Sequence, residues 1–171
     1  MDNTSLNGRA EGAAPEGEHA NGLRAYAALG RYLSADGWFP QPVEDTYSYR
    51  MFYSGESGEL RCYAIVRVDL EQFLFYAVAG VRVPEERRLA AAEFITRANY
   101  GMRIGNFEMD FRDGEVRYKS SLDFEGELLS DNLIRNAIYP AVRIMDEYLP
   151  GLMKVAFGGK SPEEAIREIE G

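Results

Sequence analysis

The sequence contains almost none of the side chains from which metal sites and disulfide frameworks are built. It has one cysteine, Cys62, and one histidine, His19. A single cysteine excludes an intramolecular disulfide, and the two residues together give no His/Cys cluster for zinc. We therefore expect no metal and no cofactor. We also expect no catalytic residues, because Cys62 lies on an apolar strand face with no histidine nearby to activate it.

Positive charge is scarce as well. The chain carries 19 Lys and Arg against 28 Asp and Glu, a formal net charge of -9. A surface that binds nucleic acid or an anionic membrane needs clustered Lys and Arg, so we predict neither partner. No apolar run approaches the roughly 20 residues that span a bilayer, and the N-terminus lacks the apolar segment of a signal peptide. We expect a cytoplasmic protein.

The chain divides into a short tail and one domain. Residues 1–20 hold a single large apolar residue, Leu6, which is too little to offset the entropy of ordering that segment. We predict a disordered tail over residues 1–20 and one globular domain over residues 21–171. His19 lies in the predicted tail, where a mobile segment cannot hold a catalytic base in place.

Hydrophobic spacing predicts an α+β fold. Apolar residues recur at helical spacing from a possible N-cap at Asn21 to Gly37, again after Pro84, and again through residues 130–157. Pro140 and Pro150 in the last segment predict kinks or a break. Three alternating or apolar runs lie between the first two helices, and two more follow the second. We predict an antiparallel sheet of about five strands in the order α-βββ-α-ββ-α, with a short helix at the end.

Glu108 and Asp110 are the nearest approach to a paired-carboxylate motif. An Asp113-Gly114 turn between two alternating runs is typical of a two-residue hairpin. That turn would place Asp110 opposite Arg117 and Glu108 opposite Lys119, so each carboxylate would be neutralised across the strand pair. Catalytic carboxylates need desolvation or like-charge crowding. We interpret the pair as structural.

One face of the first three strands is apolar and aromatic with an arginine border. The predicted register has Tyr53 opposite Leu60 and a four-residue loop from Asp69 to Gln72 between the second and third strands. It gathers these residues on a single face: Arg50, Phe52, Arg61, Tyr63, Ile65, Arg67 and Tyr76. Tyr and Arg are enriched at protein contacts, and large exposed apolar patches are uncommon on monomers. We predict a partner-binding or dimer surface here. Cover by the long C-terminal helix or by a second copy of the chain is favoured over an open peptide-binding surface.

The segment between the first predicted helix and the first strand contains Trp38 and Phe39 beside a proline-rich stretch. These two side chains could anchor the first helix on the sheet or could contact a partner.

Three segments carry a family resemblance: VPEERR, EFITRANYGMRIGNFEMDFRDGEVRYKSSLDFEG and the proline-containing IYPAVRIMDEYLPGLMKVAFGGKSPEEAI. Together they resemble the YbjN family over nearly everything after the tail, most specifically in IGNFEMDFRDGEVRYK. The family is described as bacterial sensory transduction regulators. Its architecture is similar to that of type III secretion chaperones, which dimerise and bind extended client segments. The resemblance implies no catalytic residues.

We therefore expect a non-enzymatic, chaperone-like protein-binding module with a regulatory role in a bacterium, acting as a homodimer. Its partner would be a protein client or a regulatory protein. The alternative is a small-molecule sensor or an unrecognised enzyme, with a pocket between the sheet and the C-terminal helix.

Overall fold

A computed structural model describes residues 17–171, and the predicted tail lies largely outside this range. Four helices lie within it: α1, Ala20–Ala35; α2, Arg88–Asn99; α3, Asp131–Ala156; and α4, Pro162–Glu170. A 3-10 turn, Glu85–Arg87, precedes α2. The first helix begins at Ala20, directly after the exposed backbone turn at His19. The predicted order of helices is confirmed.

Six strands form one antiparallel sheet over the same residues. They are β1, Gln41–Pro42; β2, Ser48–Ser54; β3, Glu59–Arg67; β4, Gln72–Arg82; β5, Asn106–Met109; and β6, Glu115–Asp123. Their order in the sheet is β1-β2-β3-β4-β6-β5. The α+β prediction is confirmed, and the additional strand is β1, whose two residues are too short to show an alternating pattern.

The helices α1, α2 and α3 pack on one face of the sheet. Along β3, buried Leu60, Cys62 and Ala64 alternate with more exposed neighbours, because successive strand side chains point to opposite faces. The layer between sheet and helices is closely filled. Its largest fully buried side chains include Phe73, Phe75 and Tyr118 from the sheet and Leu29, Phe94, Ile138 and Met145 from the helices.

The predicted strand register is confirmed at one hairpin and shifted at the next. Tyr53 lies opposite Leu60, as the turn between β2 and β3 predicts. The last pair of the next hairpin is Arg67 with Gln72, so its loop begins and ends one residue earlier than predicted. That difference moves the pairing by two residues, which preserves the face that each side chain occupies.

The long helix α3 continues through both of its prolines, so of the two predicted outcomes the break does not occur, and kinks stay a prediction. Its N-terminus is capped by Ser130, whose hydroxyl accepts from the Leu133 N–H. One apolar stripe of α3 is buried over its full length, and this packing offsets the two missing backbone donors. The carboxylate of Asp146 also accepts from the Glu56 and Ser57 N–H groups at 2.9 and 2.8 Å. These bonds fasten the β2–β3 turn to α3.

The C-terminus of α1 is fixed by Trp38. Gly37 has a φ of 79°, which lets the Trp38 N–H return to the Leu33 carbonyl at 2.9 Å. The Trp38 indole is buried and stacks on Tyr53 with ring centroids 5.8 Å apart. Phe39, the next residue, is 86% exposed. Trp38 is therefore the anchor of the helix end, and Phe39 points to solvent.

The start of α1 is held by Asn21, which does not cap the helix as predicted. Its side-chain amide donates to a Glu71 carboxylate oxygen at 2.7 Å and to the Glu127 carbonyl at 2.9 Å. The next residue, Gly22, lies so close to the backbone just after β3 that an added Cβ would overlap the Val68 carbonyl oxygen.

We predict that Gly22→Ala destabilises the fold by about 1 to 3 kcal/mol, because the methyl group would push α1 away from the backbone of Val68. In an open helix the same change stabilises by up to about 1 kcal/mol. Chemical denaturation followed by circular dichroism measures the difference. As a control, Ala27→Gly at an exposed position of α1 should destabilise. Unchanged or increased stability of Gly22→Ala would contradict this packing.

Candidate partner-binding face of the sheet

The sheet face opposite the helices, called the outer face below, carries all seven residues that the sequence analysis grouped. Strand alternation places them together on it: Arg50 and Phe52 of β2, Arg61, Tyr63, Ile65 and Arg67 of β3, and Tyr76 of β4. The C-terminal helix does not cover this face, because α3 packs on the opposite one. Of the two predicted covers, α3 is therefore wrong, and a second copy of the chain stays a prediction. The surface is open within residues 17–171.

Side chains cross the outer face in rows fixed by the strand register. One row holds Arg50, Tyr63, Tyr76, Lys119 and Asn106, and the next holds Phe52, Arg61, Val78, Arg117 and Glu108. Ile65 and Leu74 stand side by side in a third row. Cβ atoms of directly paired residues are about 5 Å apart, so each row is a continuous strip of contacts.

Exposure is graded across the outer face. Tyr63, Ile65 and Tyr76 at its centre are half-buried by their neighbours, while Phe52 toward one side is 52% exposed. The arginines Arg50, Arg61 and Arg67 are exposed. An apolar and aromatic centre with a polar, solvent-accessible border is the arrangement found in protein–protein interfaces.

Arg117, Lys119 and Glu108 extend the face beyond the residues predicted to form it. The Arg117 guanidinium lies over the Tyr76 ring, 4.2 Å from its centroid, a cation–π contact. Arg117 and Lys119 also form ion pairs with Glu108 at 2.9 and 2.5 Å. Sequence alternation placed these residues on the polar side of a hairpin, but their position beside β4 depends on a pairing between strands that are distant in sequence.

The hairpin that contains these residues differs in register from the prediction. Glu108 lies opposite Arg117, and the turn spans residues 110–114 in place of a two-residue loop. The pairing moves by two residues, so the faces are preserved. Asp110 leaves the strand pair and binds Arg112 at 2.7 Å, so the predicted pair with Arg117 is wrong.

Hydrogen bonds from neighbouring basic side chains favour the ionised form of both Glu108 and Asp110. Burial opposes ionisation of Glu108, but hydrogen bonds from Lys119 and Arg117 outweigh it and hold the pKa of Glu108 below its ordinary value. Hydrogen bonds from Arg112 lower the pKa of Asp110 to about 2. A general acid at neutral pH needs a raised pKa. Neither group fits that role.

The two edges of the sheet differ in whether their outward backbone N–H and C=O groups have partners. At β5, the Asn99 side chain accepts from the Phe107 N–H at 2.7 Å and donates to the Phe107 carbonyl at 3.1 Å. An amide side chain thus occupies the place of a neighbouring strand. On the opposite edge, β1 pairs only with Tyr49 and Arg50. The remainder of β2, from Phe52 to Ser54, is left with an open edge.

The cysteine singled out in the sequence, Cys62, belongs to the core. Cys62 is fully buried, and desolvation raises the pKa of its thiol to about 12. In the part of the chain that the structure describes, no group of three His, Cys, Asp or Glu side chains could hold a metal ion. No helix of residues 17–171 is long and apolar enough to cross a membrane. A cytoplasmic location stays a prediction.

Over residues 17–171, the fold is that of a small α+β protein with one antiparallel sheet, helices on one side and an open face on the other. The family described as "YbjN: Putative bacterial sensory transduction regulator" matches residues 26–153. The chain therefore belongs to the YbjN family, and the resemblance seen in its sequence is confirmed.

A solved structure shows the same fold. It is described as "Crystal structure of YbjN, a putative transcription regulator from E. coli", with a TM-score of 0.53 and 13% sequence identity. The match covers 78% of this chain and 89% of the other. No curated protein matches this sequence.

We predict that Glu108→Gln destabilises the protein by about 1 kcal/mol at pH 7, because the amide loses two charge-assisted hydrogen bonds on a partly buried site. The folded-state pKa of Glu108 is lowered, so its contribution is complete well above the ordinary glutamate pKa of about 4.3. It should be lost as the pH falls below that value. Urea denaturation of both proteins between pH 7 and pH 3 measures this. A difference that is constant with pH would contradict the assigned ion pairs.

We also predict that Cys62 of the folded protein reacts with a thiol reagent such as 5,5′-dithiobis(2-nitrobenzoate) only upon unfolding. Burial removes access and suppresses the reactive thiolate. Absorbance during titration with guanidinium should rise together with the unfolding transition. Stoichiometric labelling of the native protein within minutes would show that this part of the sheet opens readily.

Proposed function

We propose that the chain is a non-enzymatic, chaperone-like protein-binding module with a regulatory role, and that it acts as a homodimer. The outer face is its partner-binding or dimer surface. The observation that carries this proposal is the aromatic and apolar centre around Tyr63, Ile65 and Tyr76, which helices α1 to α4 leave uncovered. Burial of such a centre is the main source of binding free energy at interfaces.

The charges of the outer face support a protein partner. Arg50, Arg61 and Arg67 border the apolar centre, although the chain as a whole carries a net charge of -9. This local reversal of sign favours a partner segment that combines apolar side chains with acidic ones. The open edge of β2 at Phe52 and Ser54 adds backbone donors and acceptors beside the same surface. An extended segment could pair with them.

The family description supports a regulatory role. The chain belongs to a family described as regulators, and no catalytic constellation occurs among the carboxylates and the cysteine considered above. The alternative of a pocket between the sheet and α3 has little support. That space is filled by fully buried Phe75, Tyr118, Ile138 and Met145, which a ligand would have to displace.

We predict that Tyr63→Asp/Ile65→Asp abolishes partner binding, because two carboxylates would be desolvated at the centre of the interface. The partner affinity, or the dimer affinity, should fall at least a hundredfold. Light scattering across micromolar concentrations measures the dimer. Affinity capture from bacterial cells with quantitative mass spectrometry measures a client protein.

The control variant is Leu89→Asp/Leu128→Asp, which makes the same chemical change at two exposed leucines on other parts of the chain. It should dimerise and capture partners like the parent. Circular dichroism confirms that both variants are folded. A folded Tyr63→Asp/Ile65→Asp protein with unchanged mass and unchanged partners would show that the outer face is not the interface. A parent protein that stays monomeric at all concentrations would refute the dimer alone.

A further inference from the structure

A groove on the helical side of the molecule has no part in the outer face. It lies between the C-terminal end of α1, the segment before β5 and the exposed flank of α3, with a volume of about 660 Å³. Its lining residues are Asp36, Ile104, Arg135, Asn136, Tyr139, Pro140 and Arg143. Small-molecule sites in proteins have volumes of roughly 300–1,000 Å³. The groove is large enough for a metabolite.

Two arginines of α3, Arg135 and Arg143, line the groove. Arg135, Tyr139 and Arg143 follow one another at spacings of four residues, so they share one stripe of the helix. Eight residues of helix place the two arginine Cα atoms about 12 Å apart. Neither guanidinium forms an ion pair or a hydrogen bond with any residue between 17 and 171, and Arg143 lies 5.7 Å from the Tyr139 ring centroid. Arg135 acts on Asp36 through its charge alone, without a hydrogen bond, so the N–H donors of both arginines can bind an anion.

Asp36 provides a fixed acceptor beside them. Its Oδ2 atom accepts from the Tyr139 hydroxyl at 2.8 Å, the Trp38 indole N–H at 3.0 Å and the Tyr32 hydroxyl at 3.2 Å. Partial burial opposes ionisation, but these hydrogen bonds outweigh it and lower the pKa of Asp36. All three donors bind Oδ2, which leaves Oδ1 to accept from a group in the groove.

Pro140 adds a second acceptor. A proline inside a helix has no N–H, so the carbonyl of Asn136, four residues earlier, lacks its usual helical donor. Both residues line the groove. The groove thus combines cationic donors from Arg135 and Arg143 with oxygen acceptors from Asp36 and Asn136.

We propose that this groove binds a small organic anion that also carries an amine or hydroxyl group. The anionic phosphate or carboxylate lies between Arg135 and Arg143, and the amine or hydroxyl donates to Asp36. The body of the ligand rests on Tyr139, Pro140 and Ile104. A small anion suits the groove better than a polyanion, because the net charge of -9 repels an extended chain of phosphates. This site is separate from the outer face and independent of its function.

The test is a titration of the full chain with O-phosphoserine, which contains both required groups, followed through the arginine Nε–Hε NMR signals. The Arg135 and Arg143 signals should shift and saturate in the low millimolar range or below. Arg135→Gln/Arg143→Gln should weaken binding at least tenfold, because two charge-assisted hydrogen-bond donors are lost. Both positions are exposed, so this variant should fold.

The matched control is Arg61→Gln/Arg67→Gln, which removes the same two charges from the outer face. Its affinity for O-phosphoserine should stay within about twofold of the parent. Inorganic phosphate, which lacks the amine, should bind more weakly than O-phosphoserine, and Asp36→Asn should narrow that difference. If Asp36→Asn fails to fold, the O-phosphoserine affinities of the two double-arginine variants still test the proposed site.

Three results would overturn the proposal. One is a shift that stays linear with concentration and never saturates. Another is a loss of affinity that is the same in both double-arginine variants. The third is saturation of the Arg61 and Arg67 signals in parallel with those of the groove, which would show general attraction of anions to positive charge.

Discussion

The packing of one helical layer on one face of an antiparallel sheet is the constraint on which the rest of this structure depends. Alternation along β3 sends Cys62 and Ala64 into the core and Tyr63 and Ile65 to the other side. Because α1, α2 and α3 all use the first face, the second has no cover from the described chain. The same alternation that builds the core therefore creates the candidate interface.

Trp38 packs between strand β2 and helix α3. Its ring stacks on Tyr53 of β2, meets Tyr139 of α3 edge-on at 6.0 Å and donates to Asp36. A continuous set of packed contacts thus joins the proposed anion groove to β2. Phe52, the neighbour of Tyr53, faces the opposite side of the sheet and belongs to the outer face.

Much of the fold could be predicted because the signals were local. The turn between Tyr53 and Leu60 and the alternation beside it fix which residues share a face. The hairpin at Asp113 shows the limit of this reasoning. Its Asp-Gly pair favours a two-residue turn, but the observed turn is longer, with Gly114 hydrogen-bonded to Asp110. The shift was an even number of residues, so the face assignment survived the wrong register.

The sequence by itself determined the order of the helices and of every strand except β1, and it placed the seven residues of the predicted interface on one face, since both follow from periodicity along the chain. Only the tertiary structure decided which sheet face the helices cover. It also decided that β6 lies between β4 and β5, which brings Arg117 to Tyr76. The physical reason is that periodicity specifies the two sides of an element, whereas the partner of each side depends on contacts between residues far apart in the chain.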